Sequence, residues 1–90
     1  MTSRTTARFR EALAGLPGPV REQAHAAYRQ FLSDPWHPGL RFKQVHATLP
    51  IYSARVGLHY RALAERQPDG TMVWFWIGSH AQYDGLLRRL

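Results

Sequence analysis

The sequence predicts an α+β domain: an N-terminal αα-hairpin packed on an antiparallel sheet of about four strands, closed by a short C-terminal helix. Three observations predict it. Apolar residues in the first third recur at helical spacing, Ile51 to Glu65 alternates residue by residue, and Met72 to Ile77 is apolar at both parities. A chain of 90 residues holds one such domain, spanning 1–90, and no second one.

The first helix is expected to begin at Thr5 or Thr6, either of which can cap it through its hydroxyl. Phe9, Ala12, Leu13 and Leu16 then form its apolar stripe, and Leu16-Pro17-Gly18-Pro19 ends it. Pro19 suits the first turn of a second helix, whose stripe is Val20, Ala24, Ala27, Tyr28 and Phe31 and whose stop is Asp34-Pro35. After a Pro/Gly loop, Leu40 to His46 reads as a strand with Arg41, Lys43 and Val45 on one face. Ile51 to Glu65 is long for one strand, so a hairpin with a three-residue loop at Gly57-Leu58-His59 is expected. Val56 then pairs with Tyr60, Arg55 with Arg61 and Ala54 with Ala62, leaving one apolar and one polar face. Asp69-Gly70 turns the chain into a central strand from Met72, covered at least in part on both faces and ended by Gly78. Ser79 caps a last helix, His80 to Leu90.

Twelve basic residues against six acidic ones give a net charge of +6, and Lys43 is the one lysine. Guanidinium forks match phosphate oxygens two at a time, so this balance favours a polyanionic partner, nucleic acid or an acidic protein segment. The absence of cysteine excludes disulfides and thiolate zinc sites, and the separations of the five histidines match no standard metal pattern. No metal or other cofactor is expected, nor a membrane span or signal peptide, and the expected location is cytoplasmic.

Two groups of residues carry possible chemistry. Arg55 and Arg61 share a sheet face, where like charges placed opposite each other cost stability and invite an anion between them; the plain alternative is a solvated face. Lys43 and Arg41 can join them from the neighbouring strand, or serve as ordinary surface cations. At the strand-to-helix junction stands His80, a residue type whose ordinary pKa of about 6.5 makes both protonation states accessible. Tyr83 is i+3 from it, placed to stack, to donate a hydrogen bond or simply to pack. Asp84, at i+4, either orients the imidazole at this face or pairs with Arg88. Trp74 and Trp76 suit core packing better than base stacking.

Tyr52-Ser53-Ala54-Arg55-Val56-Gly57 followed by Tyr60-Arg61-Ala62-Leu63 resembles the hairpin of the RelE/ParE superfamily of toxins, "aromatic, x, x, Arg, Val, Gly … Tyr-Arg". Trp74-Phe75-Trp76-Ile77-Gly78-Ser79-His80 with Tyr83-Asp84 is similar to the ending of some HigB-like members. His37-Pro38-Gly39-Leu40 with Phe42-Lys43 is also similar to small toxin-like proteins of this group, and the likeness runs from about Phe9 onward. Two places depart from the pattern. Only Thr2 to Thr6 is left for the strand that usually precedes the first helix, and Ser53 stands where many RNA-cleaving members are basic.

The resemblance implies a type II toxin that enters the ribosome and cuts messenger RNA by 2′-hydroxyl attack without a metal, neutralised by a cognate antitoxin protein. On that reading His80, Arg61, Arg55 and Tyr83 are catalytic, and Lys43, Arg41 and Asp84 line the RNA-binding face. The alternatives are a ParE-like DNA gyrase inhibitor and a catalytically degenerate toxin-like binding protein.

Overall fold

The computed structural model describes residues 1–90. Strand β1 (Ser3–Thr5) leads into helices α1 (Ala7–Ala14) and α2 (Gly18–Ser33). A single 3-10 turn (Pro38–Leu40) then precedes β2 (Lys43–Gln44), β3 (Ile51–Val56), β4 (Tyr60–Arg66), β5 (Met72–Ser79) and helix α3 (His80–Arg89). The sheet order is β1-β5-β4-β3-β2.

The helices start and stop where their side chains dictate. The Thr6 hydroxyl accepts the Phe9 N–H at 3.0 Å, and α1 ends before Gly15. Pro17 precedes α2, Pro19 occupies its first turn, and the chain turns extended at Asp34. Both helices lie on one face of the sheet, over Ala54, Val56, Ala62, Ala64, Trp74 and Ile77. Phe31, 2% exposed, meets Phe42 and Trp74 edge-to-face at centroid distances of 5.1 and 5.2 Å. Of the expected stripe on α1, Phe9 is buried, Leu13 and Leu16 are half-buried, and Ala12 faces solvent.

The expected α+β class, an αα-hairpin on one sheet face with a closing C-terminal helix, is what the structure shows, and three details of it need correction. The sheet is mixed and five-stranded, because β1 runs parallel to β5 and pairs Ser3, Arg4 and Thr5 with Met72, Val73 and Trp74. Three residues are too few to show alternation in a sequence. The strand expected over Leu40 to His46 shrinks to Lys43–Gln44, because side chains redirect the backbone on either side. His37 Nδ1 accepts the Gly39 N–H and caps the 3-10 turn, Arg41 then takes a left-handed conformation at φ 48°, and His46 Nδ1 accepts the N–H groups of Thr48 and Leu49.

The third correction concerns the face read as polar. Helix α3 lies across part of it, so Ile51, Leu63 and Tyr83 form a second small core with Val45, Phe75, Trp76, Leu86 and Leu87 around it. A β-bulge makes this possible. Leu63 pairs with Trp76 but Ala64 with Trp74, so the extra residue, Phe75, puts two consecutive aromatics towards α3. That bulge is the physical reason the strand reads apolar at both parities. The strand also continues one residue beyond Gly78, to Ser79.

Candidate active site

The hairpin pairs as its alternation requires: Val56 with Tyr60, Arg55 with Arg61, and Ala54 with Ala62. Arg55 and Arg61 are therefore cross-strand neighbours on the face that carries α3. Neither has a carboxylate partner, since the one ion pair in the molecule lies elsewhere. Arg55 Nε donates to the Gly57 carbonyl at 2.9 Å and an Arg61 terminal nitrogen to the Tyr60 carbonyl at 3.1 Å, which holds both guanidinium groups at the hairpin end. Gly57, at φ 60°, makes the tight turn; a Cβ there would clash with the Gln23 side chain, so the absence of a side chain also lets α2 close on the hairpin.

The Arg61 pKa is held below its ordinary value, first by burial and then by the charge of Arg55, with Arg41 adding to the effect and Tyr83 and Asp84 opposing it. Arg41 and Asp84 are thus the charged neighbours felt by Arg61 besides Arg55. Lys43 pairs with Ser53, which makes it the diagonal neighbour of Arg55, a relation that typically separates residues by about 7–8 Å. Four cations thus border one patch, with no carboxylate at ion-pair distance and Asp84 the one acidic neighbour whose charge reaches Arg61.

His80 opens α3 beside this patch. Its N–H donates to the His59 carbonyl at 2.8 Å, which fastens the start of the helix to the hairpin loop. Its Nδ1 lies 3.2 Å from Asp84 Oδ2, with the side chains 47% and 52% exposed. The carboxylate fixes the ring orientation and turns Nε2 away, open to a proton donor or acceptor. Of the two partners the sequence left open for Asp84, the structure chooses His80.

Tyr83 takes the packing and hydrogen-bonding role among those open to it. It is 7% exposed, its hydroxyl donates to Ser53 Oγ at 3.3 Å, and its ring stands edge-on to His80 at 5.7 Å. Ser53 is itself 2% exposed, so the departure from a basic residue there is part of a buried hydroxyl pair. Trp74 is core, whereas Trp76 is half-buried on the α3 side.

Two contributors escaped the sequence reading. Gly78 pairs with Arg61, and its lack of a side chain makes room for the Trp76 ring and Gln82 Oε1, a relation set by cross-strand register and invisible in one strand alone. Gln82 completes a capping box with Ser79: its Oε1 accepts the Ser79 N–H, and its own N–H donates to Ser79 Oγ. The Ser-x-x-Gln spacing was the available signal.

A basic sheet patch at a hairpin end is thus flanked by a His–Asp pair on the closing helix, and the family match makes the molecule a RelE/ParE superfamily toxin. The family model of the ParE-like toxin domain matches residues 19–85, and the chain belongs to that family. The structure is similar to the isolated RelE toxin of E. coli (TM-score 0.66, 16% identity, 99% of this chain and 98% of that one). It is also similar to YafQ from E. coli strain BL21(DE3) (TM-score 0.69, 8% identity, 90% and 94%). The RelBE2 toxin–antitoxin complex of Mycobacterium tuberculosis contains a chain that matches at 26% identity, with TM-score 0.57 and coverage of 88% and 96%. A comparison with curated protein sequences returned no match.

Proposed function

We propose that this toxin cleaves messenger RNA on the ribosome. The observation that carries the reading is the juxtaposition of two unpaired arginines with a carboxylate-oriented histidine at the end of one hairpin. Cleavage by an internal 2′-hydroxyl needs a base to take its proton, cations to hold the charge that builds on the phosphorane, and an acid for the departing 5′-oxygen. His80 Nε2 takes the 2′-hydroxyl proton and, as the imidazolium, returns it to the departing 5′-oxygen. Arg55 and Arg61 present donors to the non-bridging oxygens, with Lys43 and Arg41 guiding the strand. Tyr83 acts as a positioning residue, holding α3 to the sheet through Ser53. The oxygen–phosphorus bond that forms closes a 2′,3′-cyclic phosphate, and the one that breaks frees a 5′-hydroxyl.

The M. tuberculosis relative is a toxin–antitoxin complex. By analogy, the partner of this chain is an antitoxin protein that lays an acidic or amphipathic segment over the same patch. Double reversal, Arg55→Glu with Arg61→Glu, should weaken that complex; unchanged affinity would place the antitoxin elsewhere.

The decisive experiment programs ribosomes with a defined mRNA, adds purified toxin, and analyses the product ends. A 2′,3′-cyclic phosphate facing a 5′-hydroxyl supports the proposal. Intact mRNA together with blocked DNA supercoiling by gyrase would replace it with the gyrase reading.

A further inference from the structure

Strand β1 pairs with β5 only as far as Trp74, so the outer edge of β5 beyond that residue has no strand partner. Between this free end and α3 lies an open cleft of about 570 Å³, lined by Trp76, Gln82, Leu86, Arg88 and Arg89 among others. That volume falls within the range of about 300–1,000 Å³ usual for small-ligand sites. Its lining combines one aromatic wall, one amide and two cations with the aliphatic side chains of Ile77 and Leu86.

The cleft adjoins the arginine patch. A Cβ at Gly78 would stand 2.6 Å and 2.8 Å from two carbons of the Trp76 ring, so the indole lies over Gly78, which is the cross-strand partner of Arg61. Gln82 Oε1 is committed to the Ser79 N–H, which leaves the amide NH₂ of Gln82 as a donor. Arg88 and Arg89 are exposed, and neither has a carboxylate within ion-pair distance. Two cations in a last helical turn gain from the helix dipole wherever they stand. The dipole does not account for an indole half-open beside them.

We propose that this cleft is a nucleotide subsite, which takes the nucleotide next to the scissile phosphate of a single-stranded RNA: base on Trp76, base edge to Gln82, phosphate to Arg88 and Arg89. The assignment rests on the RNA-cleaving reading of the neighbouring patch. An indole face is a sequence-tolerant platform for any base, and guanidinium groups supply the phosphate contacts that keep the strand in place. The site would extend the track laid by Lys43, Arg55 and Arg61 and set which nucleotide reaches His80.

The test measures toxin binding to ribosomes programmed with mRNA whose scissile ribose is 2′-deoxy, so that the strand binds without being cut. Loss of a base stack typically costs about 5- to 150-fold in affinity. Trp76→Leu should weaken binding within that range. One abasic nucleotide beside the deoxy position should weaken wild-type binding by the same factor and leave Trp76→Leu unaffected. Because Trp76 also touches the small core, Arg88→Gln with Arg89→Gln provides a surface variant, expected to lower the salt dependence of binding while circular dichroism stays native. Normal binding by both variants, with Arg55→Gln/Arg61→Gln defective, would remove the subsite and leave the RNA reading standing. A wild-type toxin that ignores programmed ribosomes, but takes an acidic peptide at this cleft, would overturn both.

Discussion

Replacing Arg61 by glutamine should make the protein more stable while abolishing its activity. Arg61 faces Arg55 directly across the β3–β4 ladder, neither forms an ion pair, and Asp84 offsets the charge of Arg61 only in part. Its pKa is lowered by burial and by Arg55, which means that folding disfavours the charged form. Arginine stays protonated in both folded and unfolded chains at all working pH values. The penalty is therefore constant across the neutral range, and its relief should show no pH dependence. Directly opposed cross-strand charges are worth about 0.2–1 kcal/mol. Glutamine keeps two methylenes and an amide donor for the Tyr60 carbonyl, so little is lost against that gain. A net gain on the order of 0.5 kcal/mol raises Tm by roughly 2–4 °C in a domain of this size. Thermal melts by circular dichroism at low salt measure it. Inorganic phosphate should raise the wild-type Tm above that in chloride of equal ionic strength, and do so less for Arg61→Gln, which controls for the general stabilising effect of phosphate. If Arg61→Gln melts below wild type, or phosphate raises both equally, the patch is not a frustrated anion site.

Three further outcomes are expected. Ser53→Ala strands the buried Tyr83 hydroxyl and should cost about 1–3 kcal/mol by urea denaturation, much of it recovered in the double variant Ser53→Ala/Tyr83→Phe. Gly57→Ala places a side chain at φ 60° against Gln23 and should destabilise by about 1–2 kcal/mol, with the hairpin amides exchanging faster. The Asp69 carboxyl, whose pKa is lowered chiefly by the Thr71 N–H, should titrate below its ordinary value by NMR; its support of the β4–β5 turn is present above that ordinary value and lost as pH falls through the lowered one.

The hairpin register was legible because Gly57 interrupts a strict alternation, and two residues on either side suffice to fix every pair. Arg55 and Arg61 followed from that register. The opposite side of Arg61 did not, since Gly78 reaches it only through a bulge at Leu63 and Ala64 that no local pattern announces. The docking of α3 was half-legible. Leu63 sits at an odd position among polar neighbours, a sign that something covers that face, but the covering residue is Tyr83, for which the sequence left stacking, hydrogen bonding and packing all open. Asp84 had two partners at helical spacing, His80 and Arg88; only packing at the helix start decides between them. The edge strand failed because histidine rings bonded to backbone N–H groups bend the chain at both ends, a competition that strand propensity does not register.

The central claim is that His80 moves the proton while the arginine pair holds the charge. Single-turnover cleavage of mRNA on programmed ribosomes, saturated with toxin, tests it most directly. His80→Gln should cut about 10²- to 10⁴-fold more slowly than wild type while binding the programmed ribosome normally. Arg55→Gln/Arg61→Gln should lose both rate and affinity. A folded His80→Gln that cuts at the wild-type rate would contradict the account.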